Sequence, residues 1–416
     1  MEYSYTSIDV TPAQSSYPLA GFAKRNLELE TFGDSSLYLK FFWLRTSDTN
    51  LIIVTLDTLY FPTTLSKLIV SELNKQYGVE ESEIIFSATH THSSPNTSIP
   101  KFGEIYEDYL AVLKQPVAEA VSNLSKFFRK CQVEVSLKEL GDQAPIIGRR
   151  KTFRVPMLGK MITLMLPNNR QEIDNELRVI KLTSDRDEFL IYNFSCHPVF
   201  NSNNKVSSDF IGVIDKSITQ GGVVGSLFLQ GFCGDIRPKL ISSKEQCRGI
   251  KTKLKFLILG GSFRAPNRQD FESFVNFFSS SLKCPSFDRK VDVALFSSKS
   301  FRYEFASESG DSKKSVVVKL FFSFPLVMVS IPAEVLSSYY VALKKTFPNV
   351  IFLPMAYGEN MIGYLPHHTD FHSGGYEVSS YANYGWDSVI SYQSLVGFEK
   401  KLFKEIEQGI SKVYSK

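Results

Sequence analysis

Apolar runs alternate with amphipathic segments along the first third of the chain. Residues 39–45 and 51–56 are rich in β-branched and aromatic side chains, and they predict two strands joined by a polar turn. Residues 62–77 have helical periodicity, and residues 84–88 form an apolar run typical of a buried strand. A longer amphipathic stretch, 104–128, predicts a second helix. This order of elements predicts an α/β layer with a partly parallel sheet.

The rest of the chain continues the alternation with shorter apolar runs. Further strands are predicted at 177–182, 189–194, 226–230, 326–331 and 350–355, and further helices at 209–219, 335–347 and 392–414. Residues 242–284 are polar and less regular, and we expect a peripheral helical insertion there. Because no repeat or linker divides the chain, we predict a single large α/β domain over residues 1–416, with mixed, partly parallel central sheets and flanking helices.

Composition narrows the class of protein without changing the fold prediction. The 43% hydrophobic and 22% charged residues are ordinary for a soluble globular chain, and a net charge of +4 gives no reason to expect a nucleic acid partner. Five cysteines without C-x-x-C spacing indicate a reducing compartment and no cysteine metal cage. The first residues lack the features of a signal peptide, and no apolar run reaches transmembrane length, so we expect a cytoplasmic protein.

Several histidines stand at the ends of predicted strands. His90 and His92 follow the apolar run 84–88 at a spacing that places both on one face of an extended backbone, and His197 ends another predicted strand. Imidazole and carboxylate groups are ligands that zinc prefers, and Glu334 also lies just past a strand. These residues predict a zinc site, and the alternative is that the imidazoles only satisfy neighbouring carbonyl groups.

A second group of histidines, His367, His368 and His372, lies among proline, threonine, serine and glycine residues. We expect a solvated loop there rather than the metal site, because loop histidines without a fixed scaffold are poor ligands.

Seven short motifs occur in a defined order along the chain. They are Ala88-Thr89-His90-Thr91-His92-Ser93, Cys196-His197-Pro198, Ser208-Asp209-Phe210, Leu229-Gln230-Gly231 with Gly234-Asp235, Pro332-Ala333-Glu334, Gly363-Tyr364 and Gly375-Tyr376-Glu377. This ordered set resembles the catalytic domain of the neutral/alkaline ceramidase family. The resemblance implies a zinc amidase that hydrolyses the N-acyl bond of ceramide, a lipid amide, with transient contact to a membrane surface.

The resemblance also implies roles for individual residues. The implied zinc ligands are His90, His197, Glu334 and Tyr364, and the implied substrate-facing residues are His92, Arg149 and Tyr376. Arg149 lies in a basic run, 148–154, whose alternative interpretation is a solvated loop. Asp57 and Asp209, near these motifs, are expected either to cap an element or to orient a ligand histidine.

The chain departs from the family pattern at three places. Ile236-Arg237-Pro238 stands where the family has Ser-Pro-Asn, and Ser94 replaces a glycine. Because the sequence ends at Lys416, we also expect no immunoglobulin-like C-terminal domain. The guanidinium of Arg237 suits a carboxylate or phosphate of the substrate, and the alternative is an ion pair with Asp235 or Asp209.

We therefore predict a zinc-dependent amide hydrolase of ceramidase type. One alternative is an N-deacylase for a smaller or acidic acyl compound. The other is a non-catalytic binding protein with the same fold.

Overall fold

The computed structural model describes residues 1–13, 17–46, 49–97, 105–154, 161–245, 249–283, 289–292 and 297–414. The first part of the chain contains β1 (Glu2–Asp9), β2 (Tyr38–Arg45), β3 (Asn50–Leu56), α1 (Thr63–Tyr77), β4 (Ile84–Ala88), α2 (Glu107–Val112), α3 (Lys114–Leu124) and β5 (Arg129–Lys130). The strands form one sheet in the order β4-β3-β2-β1-β5, in which β3 and β4 are parallel. The predicted strand pair, the first helix and the buried strand are confirmed.

The middle of the chain adds two sheets. Its elements are β6 (Gln132–Glu139), β7 (Ile146–Arg154), β8 (Met161–Asn168), β9 (Glu176–Thr183), β10 (Glu188–Phe194), α4 (Asp209–Thr219), β11 (Gly225–Gln230) and β12 (Ile236–Pro238). One sheet has the order β11-β10-β9-β6, with β10 and β11 parallel, and the smaller sheet has the order β12-β7-β8.

The last part begins with two helices and ends with a long one. It comprises α5 (Ile250–Leu259), α6 (Arg268–Lys283), β13 (Arg289–Asp292), β14 (Ser297–Ala306), β15 (Lys313–Ser323), β16 (Leu326–Ser330), β17 (Glu334–Val335), α7 (Ser337–Thr346), β18 (Ile351–Met355), β19 (Tyr364–Leu365), α8 (His368–Phe371), α9 (Tyr376–Ser379) and α10 (Tyr392–Tyr414). β13 extends the second sheet beside β6, β14-β15-β16-β18 forms a further sheet, and β17 pairs in parallel with β19.

The large sheets meet on a shared apolar core, which explains why their strands read as continuous apolar runs. In β3, Leu51 and Ile53 belong to the core cluster between the sheets, whereas Ile52 and Val54 belong to the cluster that includes the helices. Since side chains alternate across a strand, a strand buried on both faces needs apolar residues at every position. The predicted mixed, partly parallel α/β fold is confirmed.

Two predicted helical regions differ in detail. The segment 104–128 contains α2, α3 and a short 3-10 turn instead of one helix, and residue 104 lies outside the described residues. In the segment 242–284, α5 has no buried residue, whereas α6 buries several phenylalanines in the main core. Residues 246–248 and 284 of this segment lie outside the described residues, and the expected peripheral insertion stays a prediction. In the ranges described, no helix has both the length and the apolar character needed to cross a membrane.

Candidate metal centre and active site

His90 follows β4 in a backbone conformation that side chains rarely adopt. Its φ angle is 66°, in the left-handed region, so β4 does not continue as an extended strand through the T-H-T-H segment. The Nδ1 atom donates a hydrogen bond to the Leu59 carbonyl at 2.8 Å. The imidazole stacks on Tyr357 with 3.8 Å between ring centroids. These contacts fix the ring and leave Nε2 as the nitrogen available to a ligand.

His197 follows β10, and its Nδ1 also faces backbone carbonyl groups. Its Nδ1 lies 2.7 Å from the Cys233 carbonyl oxygen and 3.1 Å from that of Ile236. Carbonyl oxygens only accept, so the proton is on Nδ1 and Nε2 is unprotonated. Both histidines are about 1% exposed, and burial lowers the pKa of His90 to about 3 and that of His197 well below its ordinary value. Both are therefore neutral at pH 7, as metal ligation requires.

Glu334 brings a carboxylate to these two nitrogens. Its Oε2 atom lies 3.6 Å from Nε2 of His90 and 3.6 Å from Nε2 of His197. Its Oε1 atom accepts hydrogen bonds from Tyr60 and, at 2.8 Å, from Tyr384.

The distances between these donor atoms suit a shared metal ion better than hydrogen bonds between the side chains. Within the described residues, Oε2 of Glu334 and Nε2 of His197 are buried and have no hydrogen-bond partner. A separation of 3.6 Å is too long for a hydrogen bond. Ligands that each lie about 2.1 Å from a tetrahedral zinc are about 3.4 Å apart. His90, His197 and Glu334 could therefore hold one ion between them.

His92 lies beside this group. Its Nε2 is 3.3 Å from Nε2 of His90, and its ligand atoms fall within 4.8 Å of those of His90 and His197. The ring packs against Gly21, where an added Cβ would approach it to 2.6 Å, so a larger residue at Gly21 would displace the imidazole. Burial lowers the pKa of His92 well below its ordinary value, which keeps the ring neutral.

Arg149 is a buried residue of β7 and contacts two further residues of the site. Its Nε donates to Oε1 of Glu377 at 2.8 Å, and its Nη2 donates to the Tyr364 hydroxyl at 2.9 Å. Arg150 is buried as well and donates to the second oxygen of Glu377 at 2.7 Å. The alternative interpretation of 148–154 as a solvated loop is wrong, because these residues belong to strand β7 and the two buried arginines share the carboxylate of Glu377. Burial opposes ionisation of Glu377, but the two arginines hold its pKa below the ordinary value.

The two tyrosines predicted from the motifs differ in burial. Tyr364 is directly opposite Glu334 in the pairing of β17 with β19, and it is buried. Tyr376 is 41% exposed, and its ring centroid lies 5.5 Å from that of Tyr364. Tyr376 therefore packs beside the buried Tyr364 and is itself open to solvent.

Three residues of the site carried no predicted role. Tyr60 and Tyr384 hold Glu334, and Glu377 holds Arg149. Glu377 adjoins Tyr376 in the Gly375-Tyr376-Glu377 motif, which indicates its position in the site, whereas no local pattern marks the two tyrosines.

Asp57 and Asp209 act on the backbone rather than on the ligand histidines. Asp57 accepts from the Tyr38 N–H at 2.9 Å, and Asp209 accepts from the N–H groups of Asn201 and Phe210. The described contacts of His90 and His197 that fix their rings are carbonyl groups, so the capping interpretation of both aspartates is the one that fits.

The second histidine group is partly buried and structural. His367 lies 2.9 Å and His368 lies 2.7 Å from the two carboxylate oxygens of Glu399, which joins the start of α8 to α10. The Nε2 of His367 donates a hydrogen bond to this carboxylate, whereas His368 only lies close to it. The expectation of a solvated loop is wrong for His367, which is 4% exposed, and His372 packs against the Tyr392 ring.

Comparison with known proteins identifies the fold but not a sequence family. No protein-family model matches the chain, and no curated protein matches its sequence. Among solved structures, a neutral ceramidase from Pseudomonas aeruginosa superposes with a TM-score of 0.69 at 12% identity, over 96% of this chain and 72% of that one. A ceramidase complexed with C2 gives the same TM-score and identity over 96% and 73% of the two chains. We conclude that this chain has the fold of neutral ceramidase.

Proposed function

We propose that the chain is a zinc-dependent hydrolase of N-acyl amides, with ceramide as the first candidate substrate. The observation that carries this proposal is the convergence of three buried donor atoms, Nε2 of His90, Nε2 of His197 and Oε2 of Glu334, two of which lack any other partner in the described structure. The ceramidase fold, found independently of that geometry, supports the same class of reaction. The complete donor set weighs against the alternative of a non-catalytic binding protein.

His90, His197 and Glu334 would hold the ion, and Tyr364, adjacent to Glu334 on the paired strand, is the proposed fourth ligand. Zinc bound there would supply a Lewis acid for an amide carbonyl and lower the pKa of a water molecule. The Leu59 and Cys233 carbonyls orient the two imidazoles, and Tyr60 orients the carboxylate.

The remaining residues act on the substrate or on Tyr364. His92 presents a neutral imidazole beside the donor atoms, where it can donate a hydrogen bond to the reacting oxygen, or take a proton from the attacking water and pass it to the leaving amine. Tyr376, which packs beside Tyr364 and is open to solvent, would donate a second hydrogen bond. Arg149 touches Tyr364 and Glu377, so we assign it a positioning role.

We also propose that the whole chain, residues 1–416, forms one catalytic domain, and that α5 makes transient contact with a membrane surface when the substrate is a lipid. α5 exposes four large apolar side chains and carries lysines between them. Such a helix lies in the interface of a bilayer rather than across it.

A metal analysis of the purified protein tests the site. We expect one tightly held zinc per chain, and its loss from His90→Ala, His197→Ala and Glu334→Ala, because each change removes one of few ligands. His367→Ala and His372→Ala are the matched controls and should keep the metal. Zinc that persists in the first set, or that is lost from the controls, would place the site elsewhere.

A substrate panel tests the reaction. Fatty acid release from ceramides of several chain lengths and from other N-acyl amides is measured with and without a chelator. Chelator-sensitive release supports the proposal, and no release from a zinc-loaded protein would favour the non-catalytic alternative.

A further inference from the structure

Arg237 lies one residue from a group that orients a proposed metal ligand. It is the central residue of β12, between Ile236 and Pro238, and the Ile236 carbonyl accepts hydrogen bonds from the backbone N–H and the Nδ1 of His197. Ile236 and Pro238 are buried, whereas Arg237 is partly exposed. Because side chains alternate along a strand, Arg237 points away from the apolar side of β12.

An aromatic ring supports the guanidinium. Its central carbon lies 4.6 Å from the ring centroid of Phe263, which is brought there by the bridge between Ile241 and Phe263. Stacking of this kind restricts the side chain and leaves the N–H groups at the edge of the guanidinium available.

Arg237 differs from the buried arginines of this protein by lacking a carboxylate. Arg149 and Arg150 share Glu377, and Arg178 binds Asp174 and Glu176. In the described part of the chain, Arg237 forms no ion pair.

The nearby carboxylates are already engaged. Asp235 accepts from Ser337 and, at 2.5 Å, from Gln171, and Asp209 accepts from backbone N–H groups. The predicted alternative, an ion pair with Asp235 or Asp209, is therefore wrong. Burial, with a contribution from Arg149, lowers the pKa of Arg237 to about 10, which still leaves it charged at pH 7.

We propose that Arg237 binds an anionic group of the substrate, a carboxylate or a phosphate, so that the preferred substrate is an acidic N-acyl amide rather than a neutral one. A partly buried cation without a counter-charge is unfavourable, and an anion on the ligand supplies the missing partner with bidentate geometry. This inference rests on the proposed amide hydrolysis and names its substrate class. With an anion site at Arg237, an acidic N-acyl amide replaces the neutral lipid ceramide as the first candidate substrate.

The test compares three amides with one acyl chain: N-lauroylglycine, N-lauroyl phosphoethanolamine and the neutral N-lauroylethanolamine. With zinc-loaded wild type we expect kcat/KM to be about tenfold or more higher for at least one of the two anionic amides, and the pair shows whether carboxylate or phosphate is preferred. Arg237→Gln should lower kcat/KM for that amide about ten- to a hundredfold and change the neutral amide less than about twofold. For the preferred anionic amide, kcat/KM of Arg237→Lys should lie between the values of wild type and Arg237→Gln. Arg302→Gln, at an exposed arginine of β14, is the control for loss of one charge.

Binding measured by calorimetry separates this inference from the proposed reaction. The ligands are N-dodecylsulfonylglycine and its neutral ethanolamine counterpart, whose sulfonamide bond resists hydrolysis. Tighter binding of the anionic ligand to wild type, lost in Arg237→Gln, supports the anion site even if no amide is hydrolysed. Equal hydrolysis of all three amides, unchanged in Arg237→Gln, overturns the anion site and leaves the reaction standing. Loss of zinc from both Arg237→Gln and Arg237→Lys also overturns it, because Arg237 would then stabilise the metal centre itself.

Discussion

At the scale of single residues, hydrogen bonds to neighbouring groups fix the orientation of each proposed ligand side chain. His90 and His197 each direct Nδ1 to backbone carbonyl groups, and Glu334 gives one oxygen to two tyrosines. These contacts leave one donor atom on each residue, Nε2 of the two histidines and Oε2 of Glu334, directed at the proposed metal position. Such supporting contacts matter because mutation of outer groups typically costs a metal site about 10- to 100-fold in affinity or activity.

The two site tyrosines should respond differently to removal of the hydroxyl. Tyr364→Phe should weaken zinc affinity and turnover together, by about 10- to 100-fold, because its hydroxyl is the proposed fourth ligand. Tyr376→Phe should keep the zinc and lower kcat about tenfold or more, because it loses a hydrogen bond made to the reacting group. Zinc affinity is measured by chelator competition and kcat by fatty acid release. A Tyr364→Phe protein with normal zinc affinity would remove this residue from the ligand set.

A buried carboxyl gives a prediction about pH. Burial raises the pKa of Asp209 from its ordinary 3.8 to about 6 in the folded protein. The folded state therefore keeps this proton at pH values where the unfolded chain has lost it. The stabilisation from that proton is full below about pH 4 and is lost as pH rises through about 6.

Asp209→Asn lacks this titration, and asparagine also tolerates the residue's φ of 56°. The free energy of unfolding of metal-free wild type, relative to this variant, should fall by roughly 3 kcal/mol between about pH 4 and pH 7. Urea unfolding across that range measures it. Asp311→Asn is the control for loss of one exposed carboxylate, and a difference for Asp209→Asn that stays constant across this range would contradict the prediction.

At the scale of elements, α5 and α6 are consecutive helices, but α5 exposes its apolar side chains and α6 buries them. In α5, Ile250 is 86% exposed and Leu257 is 71% exposed, whereas Phe278 of α6 is fully buried. The end of α5 is tied to β7, the strand of Arg149, by a 2.8 Å hydrogen bond from Lys151 to the Leu259 carbonyl. An exposed apolar and basic helix joined to a strand of the proposed site suits a surface of anionic lipid.

Binding to vesicles that contain anionic lipid tests this surface. The double variant Leu254→Glu/Leu257→Glu should bind at least about tenfold more weakly than wild type, because it loses two apolar side chains and gains repulsion from the lipid charge. Leu27→Glu is the control, since Leu27 is similarly exposed, at 74%, but lies outside α5. Equal weakening by the control, or no change in the double variant, would contradict a role for α5.

At the scale of the whole molecule, the proposed metal centre joins separate sheets. His90 follows β4 of the first sheet, His197 follows β10 of the second, and Glu334 belongs to the β17–β19 pair. An ion that binds all three stabilises their packing, because these ligands converge only in the folded chain.

Zinc should therefore raise the stability of the protein. At free zinc about a thousandfold above Kd, the free energy of unfolding should increase by about 4 kcal/mol over the chelated protein. Chemical unfolding with and without chelator measures this difference. His367→Ala should keep the zinc-dependent increase and Glu334→Gln should lose most of it. An increase that survives in Glu334→Gln would show that zinc stabilises the fold from another site.

The sequence by itself determined the local elements and the residues that end them. The strand at 51–56, the helix at 62–77 and its stop at Gly78 follow from side-chain periodicity and from the left-handed turn at that glycine, whose φ is 67°. The histidines at strand ends were visible for the same reason, since their positions depend on neighbours in the same segment.

Tertiary structure alone decided which polar groups are buried and what pairs with them. Arg149 lies in a basic run of the sequence, yet it is buried in the fold. Its burial is possible because Glu377, 228 positions away, accepts its hydrogen bond. Tyr60 reaches Glu334 across 274 positions. Arg237 has no carboxylate partner among the described residues, although Asp235 is two positions away, because other groups already occupy that carboxylate. Burial of charge depends on partners that the fold supplies from distant segments, and no local pattern of residues records them.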